Sequence, residues 1–139
     1  MMDIYDKLYP DKNSRIYKFN DPEPDFVVIN LGQNDYGFPQ STGNPFPSGF
    51  SEKYISFIGK LRKKYKKSEI ICAAGGMSGW KDSMDYKAQF AGVVDHLKAK
   101  DKKMHSFEFK AFSYCHPRTD IHEKMAGELT EYLRNEFGL

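Results

Sequence analysis

What the chain lacks narrows its class before any motif is read. Among its 139 residues there are two cysteines, Cys72 and Cys115, both next to apolar residues. Two cysteines make neither a disulfide framework nor a zinc site. No apolar run approaches transmembrane length, and the opening "MMDIYDKLYP" has no charged-then-apolar signal pattern. Taken literally, such a start places the chain in the cytosol. Net charge is also scarce: 21 basic and 19 acidic residues leave +2, too balanced for nucleic acid or an anionic membrane surface. The densest basic run, "KLRKKYKK" at 60–67, falls where a helix is expected to end. Cations there complement the helix dipole and face water. What remains is apolar enough for one core, with 40% hydrophobic and 15% aromatic residues. That fits a single domain over 1–139.

Three apolar stretches alternate with helical ones. A strand is expected at 25–31, a second at 69–74 ("EIICAA") ending in Gly75-Gly76, and a third at 105–112. In the third, Phe107, Phe109 and Ala111 alternate with polar neighbours, the mark of a half-exposed edge strand. Helical spacing predicts a helix from Ser51, as its cap, to Tyr65, with Tyr54, Ile58 and Leu61 on one face. A second is expected over 83–99, with Phe90, Val93, Val94 and Leu97 as its apolar stripe. A third is expected over 119–136, with Asp120 and Glu123 at capping-box spacing and Met125, Leu129, Tyr132 and Leu133 buried. Residues 1–24 read mostly as loop with one short helix near Met2–Leu8, and 36–50, rich in proline and glycine, as a long irregular loop. The order β-loop-α-β-α-β-α argues a parallel sheet with helices on both faces. Three strands make a thin sheet, and the first is apolar on both faces with no sequence-local partner on its other side.

The stretch "VVINLGQND" at 27–35 carries the first functional signal. Its strand stops at Gly32-Gln33-Asn34-Asp35, which puts short polar side chains at a strand's C-terminal end, where open α/β sheets bind ligands. Spacing alone leaves two readings open, a strand-ending turn or a site. The second signal is "FSYCHPRTDIHEKMAGEL" at 112–129, where His116 lies just past the last strand and Pro117 fixes the backbone after it. His116 and Asn34 therefore fall on the same sheet edge.

"INLGQND" followed by "CHPRTDIHEKMA" resembles two conserved blocks of the SGNH (GDSL-type) hydrolases, and more closely the family 2 carbohydrate esterases, which deacetylate polysaccharides. The resemblance runs from about residue 2 to the end. It implies a three-layer α/β/α flavodoxin-like fold that lacks its first strands here, so that the sequence reads as the C-terminal part of such a hydrolase. It implies hydrolysis of an acetyl or other short acyl ester on a carbohydrate, with no cofactor and no metal, and a full-length protein outside the cytoplasm. By the same resemblance His116 is the catalytic base and Asn34 the oxyanion donor, while His122 matches a helical histidine that is not catalytic. Gly32, Asp35 and Trp80 are candidate substrate-binding positions. A preorganised amide N–H aimed at the tetrahedral oxyanion is worth about 2.7–4 kcal/mol, and a histidine neutral near pH 7 suits the base. Asp35 is expected to tie down its loop by accepting backbone N–H groups.

Two departures stand out. The aspartate that many members carry three residues before the histidine is Ser113 here, an absence that some family 2 esterases share. The Gly-Asp-Ser block bearing the nucleophile has no counterpart before residue 25, where the only serine is Ser14. Ser78, in "GGMSGW", lacks Gly-x-Ser-x-Gly spacing. Trp80 is expected on a loop at the same edge, anchoring it or stacking on a sugar; Phe38, Phe46 and Phe50 either wall a pocket or pin the long loop. Metal ligation by Asp35, His116 and His122 matches no common spacing. The rival class is a non-catalytic module that binds carbohydrate or a protein partner through this edge; a response-regulator-like domain fits poorly for want of an acidic pocket. The exposed first strand predicts association with the absent segment or with another copy.

Overall fold

The computed structural model describes residues 2–139; the side chains of 37–41, and with them Phe38, and the side chain of Ser78 lie outside the described residues. In chain order the elements are β1 (Phe26–Asn30), α1 (Gln33–Thr42), α2 (Phe50–Lys64), β2 (Glu69–Met77), α3 (Ser78–Asp82), α4 (Met84–Lys98), β3 (Met104–Ser113) and α5 (Thr119–Phe137). The strands form one parallel sheet in the order β1-β2-β3, with Ile29 opposite Cys72 and Cys72 opposite Ser106. Because the order advances in one direction, the crossovers through α2 and α4 lie on one face, where the two helices touch. Helix α5 covers the other, giving the expected three layers.

The helical stripes explain this layering. Tyr54, Ile58 and Leu61 of α2 and Phe90, Val93 and Val94 of α4 are buried against Ile70, Cys72 and Ala74 of β2. On the opposite face Met125 closes over Ala73 and Phe109, with Phe107, Ile121 and Leu129 packed around them. The central strand is apolar on both faces because it is covered on both. The edge strands are more open: Val28 of β1 is 40% exposed. Along β3 the backbone N–H groups of Lys110 and Ala111 donate to the Glu128 carboxylate at 2.8 and 2.9 Å.

Tyr86 organises the space between sheet and helices. Its ring stacks on Phe46 at 5.2 Å and meets the edges of Phe50 and Trp80. Its hydroxyl donates to the Leu31 carbonyl at 2.6 Å, which fixes the chain as it leaves β1. Gly32 follows at φ 115°, and a Cβ there would lie 2.4 Å from the Tyr86 oxygen. Both the dihedral and the space demand glycine.

The structure departs from the sequence expectations in several places. Residues 33–42 are helical although 36–50 reads as loop; Gly37 and Pro39 hide a helix that has no apolar stripe. Strand β2 runs through Gly75 and Gly76 to Met77, because two glycines at φ 97° and 88° take up a register shift against β3 rather than ending the strand. The stretch after it is helix α3, so Trp80 lies on a helix and not a loop. Ser51 is inside α2 and donates to Gln89; the helix starts at Phe50, whose ring is buried, after an uncapped Gly49. Helix α5 likewise starts after Arg118 without a side-chain cap. No helix forms near Met2–Leu8: turns lead to an isolated antiparallel bridge between Lys7 and Ile16, and Tyr5 seats against Phe57. Phe46 and Phe50 are buried against Tyr86 and pin the loop, while Phe50 also walls a cavity on its other side.

The packing yields two sets of expected outcomes. Gly32→Ala forces both a strained dihedral and a clash and should cost about 2–5 kcal/mol in urea denaturation, whereas Tyr86→Phe, which strands one carbonyl, should cost about 1–3 kcal/mol. Cys72 is buried, and that burial pushes its thiol up from an ordinary 9.0 to about 11, while Cys115 is exposed. At pH 8 a thiol reagent should therefore label Cys115 in the native chain and reach Cys72 only after unfolding. Since the unfolded chain loses the Cys72 proton first, this group should lower stability as pH rises from about 9 to about 11.

Candidate functional site

The end of β1 and the end of β3 meet across the end of β2. Helix α1 opens directly after Gly32, whose carbonyl accepts the Tyr36 N–H at 3.1 Å, so Asn34 sits in its first turn at the C-terminal edge of the sheet. His116 follows the end of β3, exposed, with Pro117 beside it and α5 starting at Thr119. Asn34, His116 and His122 line one cavity of about 300 Å³, floored by Gly75, Gly76 and Met125. The two residues singled out for chemistry are thus brought together.

What holds the floor in place was not foreseen from the sequence. The side-chain amides of Asn30 and Gln33 both donate to the Gly75 carbonyl, at 3.3 and 2.9 Å. A carbonyl so turned requires the positive φ of Gly75, and a Cβ there would meet the Phe109 oxygen at 2.8 Å. At Gly76 a Cβ would press on the Met125 methyl at 2.6 Å. Gln33 therefore pins the first turn of α1, and with it Asn34, to the end of β2. Its Oε1 is buried without a hydrogen-bond partner among the described residues. The available signal was a pair of glycines after a buried strand and a polar residue ahead of Asn34.

The other candidates fall elsewhere. Asp35 is in the first turn of α1, where its charge complements the helix dipole, and it opens onto a separate cavity of about 380 Å³ with Leu31, Phe50 and Lys53. Asp35 and the two histidines therefore do not share a cavity, and no three His, Cys, Asp or Glu side chains converge in metal-binding geometry among the described residues. Burial, assisted by the Asp35 charge, pushes the Tyr86 phenol far above its ordinary value and keeps it a donor to Leu31. Gly32 is buried against Tyr86 and does not line the cavity of His116. Trp80 is buried too, its indole N–H donating to Glu108 at 2.6 Å, and it borders the neighbouring cavity. Ser113, at the position of the absent aspartate, accepts the Cys115 N–H at 3.4 Å. The His116 ring makes no hydrogen bond among the described residues, and the Ser78 hydroxyl lies outside them.

No protein-family model matches the chain. Among curated proteins it is 30% identical over 147 residues to the cellulase/esterase CelE of Acetivibrio thermocellus, covering 99% of this chain and 17% of that one. Among solved structures, a family two carbohydrate esterase from Clostridium thermocellum in complex with cellohexaose superposes with a TM-score of 0.77 at 28% identity, covering 99% of this chain and 43% of that one. An acetyl xylan esterase from Butyrivibrio proteoclasticus shares the fold, with a TM-score of 0.71 at 22% identity and coverage of 99% and 46%. The chain spans less than half the length of each of these relatives. By sequence and fold together, the chain is similar to the family 2 carbohydrate esterases, which are of the SGNH type, over part of their length.

Proposed function

We propose that this chain supplies the general base, His116, and one oxyanion donor, Asn34, of a carbohydrate ester hydrolase whose nucleophilic serine lies outside it. The observation that carries this reading is the shared cavity: residues from the ends of two different strands converge there on rigid supports. The serine hydroxyl attacks the acyl carbon as His116 takes its proton, and the carbonyl electrons move onto oxygen, where the Asn34 amide N–H donates. Collapse breaks the ester C–O bond, and the departing sugar oxygen takes the proton from the His116 imidazolium to leave as the hydroxyl. Water then repeats the sequence on the acyl-serine and releases the acid, acetate if the acyl group is that of the relatives named for it. Without a carboxylate partner, His116 relies on the rigid Pro117 and the start of α5 for its placement.

A second reading is a module that binds carbohydrate without cleaving it. One observation favours it: no serine, threonine or cysteine is among the described residues that line the cavity.

Two measurements decide. Intact mass after fluorophosphonate treatment of the folded chain should show no adduct; an adduct mapped to Ser78 would place the nucleophile inside the chain. Mixed with a separately produced segment carrying a Gly-Asp-Ser block, the chain should hydrolyse 4-nitrophenyl acetate. In that mixture Asn34→Ala should lower kcat by about 10²–10³-fold, and His116→Ala by at least as much. Hydrolysis indifferent to His116→Ala would sink the assignment, and a correctly assembled mixture without hydrolysis would leave the binding module.

A further inference from the structure

The cavity of Asn34 and His116 does not stand alone. Gly76 and Met77 are also walls of a second cavity of about 290 Å³, bounded by α3 and β3. That one shares Trp80, Lys87 and Glu108 with a third, of about 620 Å³, between α4 and β3. The three adjoin one another through these shared walls, in a row that leads from the candidate catalytic pair along β3 to α4 and makes a groove. A single sugar needs one such space; a groove of this extent fits a chain.

Its electrostatics are selective. Lys81, Lys87, Lys98 and Lys110 line the second and third cavities against two carboxylates, Asp95 and Glu108. That excess of two equals the net charge of the whole chain, +2, so the balance elsewhere is neutral. Three of the four ammonium groups are held by contacts that leave their charge unopposed. Lys81 sits 4.2 Å from the Phe112 ring centre, Lys87 donates to the Lys81 carbonyl at 3.1 Å, and Lys98 donates to the Ser106 hydroxyl at 2.8 Å. Among the described residues none of the four makes an ion pair, whereas Lys103, on the same domain, pairs with Glu69. One of the two carboxylates, Glu108, is occupied by the Trp80 indole.

We propose that this groove binds a glycan carrying carboxylates along its length, a uronic-acid-containing polysaccharide, and so sets the substrate class of the adjoining ester site. Ammonium groups fixed in a groove gain little from neutral sugar hydroxyls that water does not already provide, whereas carboxylates spaced along a polymer meet them in turn. The placement of a glycan here, rather than another polyanion, rests on the carbohydrate-esterase reading of the neighbouring cavity.

The test is calorimetric titration of the 139-residue chain with hexagalacturonate, xylohexaose and hexauridylate. At low salt hexagalacturonate should bind at least about tenfold more tightly than xylohexaose, and raising NaCl to several hundred millimolar should remove most of that advantage. The double variant Lys81→Gln/Lys87→Gln, checked for native circular dichroism, should lose about tenfold for hexagalacturonate and nothing for xylohexaose, and Lys81→Arg/Lys87→Arg should restore the difference. Equal affinity for the acidic and neutral hexamers, or an unchanged affinity in the Gln variant, would overturn the proposal. So would hexauridylate binding as tightly as hexagalacturonate, which would mark a general polyanion surface. His116→Ala should keep hexagalacturonate binding while abolishing hydrolysis in the reconstituted mixture, which separates failure of the groove from failure of the catalytic assignment.

Discussion

The carbonyl of Gly75 is the point on which the functional edge of this fold depends. It receives two side-chain amides, Asn30 from the end of β1 and Gln33 from the start of α1, so one acceptor ties a strand and a helix to the central strand. It can do so because the backbone there is left-handed and because β2 and β3 approach too closely for any side chain. The cost is the weak pairing of two consecutive glycines; the compensation is the burial of β2 on both faces, which carries it through the irregularity. Asn34 inherits its position from this arrangement.

A second constraint works from beneath. Tyr86 reaches from α4 to the Leu31 carbonyl and fills the space that a side chain at Gly32 would need. The turn after β1 is thus set by a phenol on an element far along the chain, and the aromatic group around it, Phe46, Phe50, Trp80 and Phe90, makes that phenol immovable. The apolar body of the fold and its polar edge are therefore one construction. The glycine that reads as part of a ligand-binding block is, in the folded chain, the partner of a buried ring.

Much of this was legible in the sequence, and the reasons for success and failure are physical. The helices α2, α4 and α5 declare themselves because each buries one stripe, and the strands because β-branched and aromatic residues cluster where helices would not hold them. Helix α1 carries no apolar stripe in its sequence and contains Pro39, so neither periodicity nor propensity marks it. The extension of β2 through Gly75-Gly76 was missed because tandem glycine is usually a stop; only the close approach of β3 gives it another meaning. Helix starts were displaced where packing outweighed capping, as at Phe50, whose buried ring begins α2 before the available Ser51. Asn34 and His116, singled out as polar residues past strand ends and by the resemblance, line one cavity. Gln33 and Asn30 were not singled out, since what matters about them is a shared acceptor that no spacing discloses.

The grip of Glu128 on the Lys110 and Ala111 amides has a consequence for the sheet as a whole. Those amides lie where β3 leaves its regular register with β2, and a charged side chain from α5 takes both of them. The rim of β1 carries no such guard among the described residues, and Val28 is open beside it. The two flanks of the sheet therefore differ: one has amides taken by a carboxylate, the other has an apolar residue open beside it. A strand that joined β1 would do so on the side where Asn34 stands, and would bring its own C-terminal end to the rim of the same cavity if it ran parallel.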